Sequence, residues 1–244
     1  MMKQGRYIVR ENVLIASRTF RMRLEGDTSA FERGGQFVDI AIDGFFLRRP
    51  LAVQKWDGDG FYVIYKTVGK GTEALAGLPV GTELDVLVGL GNGFDAGACS
   101  GSALVVAGSI GASPVFTLVA DLVRAGRKVE VVLGFNTAGD VILADEFEAL
   151  GASVTLVTMD GSAGRKGLVT DVMPAGGYDY FYTCGPKAMM KAVCGKALSD
   201  GEASLEERMG CGCGICYGCT CHTTRGPRRI CADGPVFRKE DIIW

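Results

Sequence analysis

The sequence predicts a multi-domain β plus α/β protein: an antiparallel β-barrel, a parallel-sheet domain with helices on both faces, and a small cysteine-rich unit. Three observations support this. Up to about residue 100 the chain consists of short β-branched and aromatic runs split by frequent turn signals. From Ala103 onward apolar strand runs alternate with amphipathic helix patterns. Beyond residue 200, six of the nine cysteines crowd into one stretch, Cys211, Cys213, Cys216, Cys219, Cys221 and Cys231. The expected units are residues 1–100, 101–200 and 201–244.

In the first unit, "QFVDIAI" (36–42) and "GFYVIYKTV" (60–68) read as strands, with "DGDG" and "GLPVG" as turns. Turn signals this frequent favour a small closed barrel. Two of its phrases offer polar chemistry. "RRPLAV" (48–53) brings an arginine suited to a phosphate, and "YKTVGKGT" (65–72) brings glycine N–H groups suited to a pyrophosphate. Taken singly, the first is an ordinary surface turn and the second an ordinary hairpin.

In the second unit, "ALVVAG" is a buried strand, "SIGASP" a turn, and "VFTLVADLVRAG" an amphipathic helix ending at Gly126. "KVEVVLGF", "SVTLVTM" and "YDYFYTCG" continue as strands, while "LADEFEALG" and "PKAMMKAVCGKAL" continue as helices. This alternation predicts a parallel sheet covered on both faces. "AGSIGASP" (107–114) and "CGPKAMM" (184–190) are strand-to-helix junctions, where ligands of such sheets bind. Gly108, Gly111, Cys184, Gly185 and Pro186 are the candidates there.

In the tail, Cys211-x4-Cys216-x2-Cys219 followed by Cys231 has the C-x4-C-x2-C…C spacing of plant-type [2Fe–2S] sites. In such a cluster each iron takes two bridging sulfides and two protein sulfurs. Gly212, Gly214 and Gly218 suit backbone N–H groups approaching those sulfurs. A zinc knuckle stays open, although the usual pair of separated C-x2-C motifs is missing. A [4Fe–4S] reading through Cys213-x2-Cys216-x2-Cys219 also stays open, although Thr223 stands where that run expects cysteine. A Rieske centre needs two histidines and the chain has only His222, read as a solvated loop residue. Cys99 is expected in an interdomain connection, Cys194 on a helix packing face, and "EDIIW" (240–244) as a packed terminal strand.

The formal net charge of −2 argues against general affinity for nucleic acid or anionic membrane. No stretch approaches the roughly 20 apolar residues of a transmembrane helix. With no apolar N-terminal run and so many thiols, the expectation is a cytoplasmic chain, where a metal or iron–sulfur site suits the cysteines better than disulfides.

"GQFVDI", "RRPLAV", "GKGT", "GLGNGF", "AGSIGASP", "DGSAGRKGLVTDV", "CGP" and "MGCGCGICYGC…CADGPVF" occur in the order found in one family. Over nearly its whole length the chain resembles the electron-transfer subunits of class 1B dihydroorotate dehydrogenases, within the ferredoxin-reductase superfamily. The resemblance implies an FAD-binding barrel, an NAD-binding α/β domain and a [2Fe–2S] domain. It implies a separate FMN-containing catalytic subunit, in a heterotetramer of two of each, holding the base that acts on dihydroorotate. Arg49, Pro50, Leu51 and Ala52 match the first FAD stretch, Ile64, Tyr65 and Lys66 the second, and Gly71 and Thr72 the third. The cluster ligands match Cys211, Cys216, Cys219 and Cys231. The family usually has serine at the position of Ala52 and glycine at that of Ser109, and Cys213 and Cys221 are additional thiols. Electrons are expected to pass from dihydroorotate through FMN, [2Fe–2S] and FAD to NAD⁺, with no proton-transfer residue assigned in this chain. The alternatives are an NAD(P)H–ferredoxin or sulfide-dehydrogenase type subunit, and a non-enzymatic iron–sulfur redox sensor. "GFNTAGD" (134–140) has no arginine for a 2′-phosphate, and Asp140 there is expected to repel one, which favours NAD over NADP.

Overall fold

The computed structural model describes residues 2–244. Strands β1 (Lys3–Ala16), β2 (Thr19–Glu25), β3 (Phe37–Ile40), β4 (Arg49–Trp56), β5 (Gly60–Lys66) and β6 (Glu83–Leu90) close a barrel in the order β1-β2-β5-β4-β3-β6. Period-two patterning drives the closure: in β6, Leu84, Val86, Val88 and Leu90 point inward and the residues between them are more exposed. β3 breaks that pattern, because all four of its residues are buried, including the charged Asp39. Helix α1 (Lys70–Ala76) follows β5, so "GKGT" opens a helix rather than the hairpin of its plain reading.

The second sheet contains β7 (Ser102–Gly108), then α2 (Phe116–Arg124), β8 (Lys128–Phe135), α3 (Ala144–Ala149), β9 (Ser153–Thr158) and the short β10 (Arg165–Lys166). It continues through α4 (Val169–Val172), β11 (Tyr180–Cys184), α5 (Lys187–Lys196) and β12 (Asp200–Ser204). The order β10-β9-β8-β7-β11-β12 is parallel throughout, and the direction of progression reverses between β7 and β11. That reversal opens a crevice at the carboxyl edge. Phe116, Leu118 and Phe147 from α2 and α3 pack on one face, and Val169, Met190 and Val193 from α4 and α5 on the other.

The tail forms the hairpin β13 (Thr220–Thr223) and β14 (Gly226–Arg229), then α6 (Ile230–Asp233) and β15 (Val236–Arg238). β15 joins the parallel sheet as an antiparallel edge against β12. The boundary expected at residue 200 therefore runs through β12, and the last strand of the tail belongs to the same sheet. "EDIIW" is a 3-10 turn followed by a single bridge from Ile242 to Thr223, not a strand. His222 is exposed, but on β13 rather than in a loop. Asn92, just after the barrel, bonds Val236 twice (Nδ2 to O 2.8 Å, N to Oδ1 3.1 Å), and its own N–H reaches Gly234 O at 2.8 Å. One apolar cluster includes Phe37 and Leu90 of the barrel, Leu104 and Phe181 of the sheet, and Cys219 and Ile230 of the tail.

Candidate functional site

The thiol loop, residues 209–219, has no regular secondary structure. Gly212 (φ 65) and Gly214 (φ 85) turn it through the left-handed region, and Tyr217 (φ 59) does so without being glycine. The turns point backbone N–H groups at sulfur. Gly214 donates to Cys231 Sγ at 3.1 Å, Ile215 and Cys216 to Cys211 Sγ at 3.3 and 3.4 Å, and Gly218 to Cys216 Sγ at 3.4 Å. Cys231 N–H reaches Cys219 Sγ at 3.4 Å. Burial pushes the Cys211 thiol up, but N–H groups of Cys216, Cys213 and Ile215 outweigh it and pull the group down to about 6. The four candidates stand as two pairs linked by backbone donors, Cys216 N–H to Cys211 Sγ and Cys231 N–H to Cys219 Sγ. Burial, then the neighbouring Cys219, pushes Cys231 up to about 12.

Among the described residues no three His, Cys, Asp or Glu side chains are gathered to hold a single metal ion. Two pairs ringed by N–H donors fit a dinuclear cluster, which asks each iron for two protein sulfurs. Burial, then the neighbouring Cys211, raises the Cys213 thiol; burial raises Cys221 as well. The loop is braced by Arg229. It grips Asp233 with Nε and Nη2, both at 3.0 Å, donates from Nη1 to Gly214 O at 2.8 Å, and lies 5.0 Å from the Tyr217 ring.

In the barrel, the Arg49 guanidinium lies over the Phe45 ring at 5.0 Å and directly against Gly71, where any Cβ would strike its Nε. Arg49, Pro50, Leu51 and Ala52 form a half-exposed strip at the start of β4. Ile64 and Tyr65 are buried, and the Tyr65 hydroxyl donates to Asn12 Oδ1 at 2.8 Å. Thr72 Oγ1 accepts from Val68 N–H at 2.9 Å and donates to Gly69 O at 3.0 Å, closing the start of α1. Lys66 Nζ is paired with Asp140 Oδ1 at 2.9 Å. Of these candidates, Arg49 has no carboxylate partner: its Nη1 donates to the carbonyls of Leu47 and Arg48 at 2.5 and 3.1 Å.

At the second sheet's crevice, the two junction phrases meet. A Cβ on Gly111 would strike the Cys184 carbonyl, and one on Gly185 would stand 2.9 Å from Gly108 N. The glycines therefore let the two turns pack backbone against backbone, with the Met189 side chain over Gly108 and Gly185. Ser109 takes φ 51, the conformation that favours glycine. Burial raises the Cys184 thiol to about 12, so it is no ready nucleophile. Asp140 is turned to Lys66, and the Lys66 hydrogen bond holds its carboxyl below the usual range.

Residues 206–243 match the iron-sulfur cluster binding domain of dihydroorotate dehydrogenase B, and residues 105–195 match the oxidoreductase NAD-binding domain. The chain is 39% identical to the dihydroorotate dehydrogenase B (NAD(+)) electron transfer subunit of Fusobacterium nucleatum, covering 96% of each chain. It is 40% identical to that of Lysinibacillus sphaericus, over 99% of each. The chain belongs to the family of dihydroorotate dehydrogenase B electron transfer subunits. Among solved structures it is similar to an NADH-dependent reduced ferredoxin–NADP oxidoreductase (31% identity, TM-score 0.90, 98% of this chain and 90% of the other). An Amycolatopsis cytochrome P450 reductase shares the fold at 21% identity and TM-score 0.70, over 81% of this chain and 67% of the other.

Sequence reasoning missed Arg229 and Asp233, whose signal is the ion-pair spacing i, i+4 flanking Cys231. It also missed Asp39, since "QFVDIAI" reads as a strand whose one acid faces solvent. Burial pushes the Asp39 carboxyl up to about 6, against the pull of Arg48 and with a further push from Cys211.

Proposed function

We propose that this chain passes electrons from the FMN of a catalytic subunit through [2Fe–2S] and FAD to NAD⁺ during dihydroorotate oxidation in pyrimidine biosynthesis. The observation that carries this reading is the linking of Cys211 with Cys216 and of Cys219 with Cys231 among backbone N–H donors, in a member of this family. These four cysteines are proposed to hold the cluster, with Cys213 and Cys221 outside it. Bound FAD exchanges a hydride with a nicotinamide and single electrons with an iron–sulfur cluster, which is why it belongs between them. Arg49 binds flavin phosphate, and backbone N–H groups around Gly71 and Thr72 receive the pyrophosphate. The turns at Gly108, Gly111, Gly185 and Pro186, with the Cys184 backbone, receive NAD. No side chain is assigned to move a proton, because hydride transfer here needs alignment.

The partner is an FMN-containing catalytic subunit, in a heterotetramer of two of each. Ile215 (79% exposed) and Tyr217 (64%) stand out from the thiol loop and suit contact with it. No helix among the described residues is long and apolar enough to cross a membrane. A cytoplasmic location belongs to this proposal and rests on the reduced thiols the cluster needs. The 31% identity to the ferredoxin–NADP oxidoreductase favours a second reading, electron exchange with a ferredoxin-type partner.

Co-purification with the FMN subunit and an anaerobic assay separate the two. Dihydroorotate-driven NAD⁺ reduction, with two irons and two sulfides per chain of this subunit, supports the first reading. A complex that reduces NAD⁺ only from ferredoxin supports the second. Cys213→Ser should keep both irons; a variant with an empty site, or native protein with four irons, would show a [4Fe–4S] cluster instead.

A further inference from the structure

Asp39 is the one acid of β3 and is 2% exposed. Its Oδ1 has no hydrogen-bond partner among the described residues. Its strand partners are Pro50, next to Arg49 on β4, and Leu87 on β6. On its other side lies the thiol loop. A Cβ on Gly212 would strike Asp39 Oδ2 and come within 3.2 Å of Cγ, so the loop beside Cys211 rests on this carboxyl group.

The nearby arginines leave the carboxylate unpaired. Arg48 directs Nη2 to Asp85 Oδ1 at 2.6 Å and Nη1 to the carbonyls of Asp85 and Asp39 at 3.0 and 3.3 Å. Arg49 Nη1 is turned to the carbonyls of Leu47 and Arg48 at 2.5 and 3.1 Å. A buried, unpaired carboxylate is costly to the fold, and an apolar residue would complete β3 more cheaply.

We propose that Asp39 is a positioning residue for electron transfer: it seats the thiol loop at Gly212 against β3 and places a fixed negative charge beside the cluster, lowering its reduction potential. The inference rests on the [2Fe–2S] assignment above. A negative charge close to the cluster and poorly screened by water disfavours adding an electron. The contact at Gly212 holds that charge at constant distance.

The test is a chemical reductive titration of the purified holo-complex followed by EPR at pH 8, with iron and sulfide counted for each variant. Asp39→Asn should keep two irons and shift the cluster potential upward by at least one decade in its equilibrium constant, about 59 mV for a one-electron couple. Asp39→Glu, which keeps the charge, should restore the native value. An Asp39→Asn cluster that is intact and titrates like wild type overturns the proposal, since a purely structural acid moves stability but not potential. If Asp39→Asn loses iron, Asp39→Glu decides: iron retained at native potential supports the proposal, and iron lost again overturns it. The titration uses no dihydroorotate, so a native cluster that is absent, or not [2Fe–2S], marks failure of the functional reading instead.

Discussion

In the thiol loop the proposed functional groups are side chains, whereas at the β7–β11 crevice the proposed nucleotide site is backbone packed at glycines. The loop between Met209 and Cys219 has no regular structure and is held by five N–H···S contacts and the Arg229 brace. The crevice is held by a seven-residue parallel pairing partner on one side and by glycines that let two turns touch. Ligand chemistry tolerates an irregular backbone if the donors are right. Nucleotide chemistry tolerates almost any helix surface if glycines shape the turns. Substitutions in the two regions should therefore fail differently.

The largest effect is expected from Cys219→Ser. Electron flow from dihydroorotate to NAD⁺ should drop to background with loss of iron, while NADH oxidation with an artificial acceptor persists. If both activities fall together, the two regions are not separable. Gly111→Ala should do the reverse: iron and flavin stay, NADH-driven reduction collapses, and the overpacked turn loses about 2 kcal/mol of stability by denaturant titration. Arg49→Ala should weaken FAD binding by about 30-fold, the loss of one charge-assisted contact of about 2 kcal/mol, measured by flavin fluorescence. NADH should exceed NADPH in kcat/KM by about tenfold; comparable values would mean that the missing arginine in "GFNTAGD" decides nothing. The smallest effect is Ser109→Gly, which relieves a left-handed serine (φ 51) and should add about 1 kcal/mol and a few degrees in Tm.

The barrel, the alternating sheet and the thiol spacing were legible because each is written in local periodicity or in residue type. What escaped depends on distant partners. β12 reads "DGEAS", with no β-branched residue, and is a strand because β11 and β15 flank it. Asp140 lies in a turn whose sequence says nothing of Lys66, 74 residues away. Asp39 stands in an ordinary strand phrase, and nothing there announces the thiol loop that Gly212 sets against its carboxyl group, 173 residues on. The four cysteines could be proposed from spacing, whereas the Arg229 brace is signalled only by the i, i+4 spacing of Arg229 and Asp233 inside "GPRRICADG".

The antiparallel edge strand β15 has a mechanical consequence. It is tied to β12, to Asn92 and, through Pro235 O, to Leu205 N–H at 2.9 Å, while the exposed segment Glu206–Arg208 is the slack leading to it. A protease that nicks this slack should leave one particle in native size-exclusion chromatography, separating into two fragments only under denaturant. The tail then behaves as a soldered joint, not a swinging arm: raising solvent viscosity should leave electron passage within the chain unchanged.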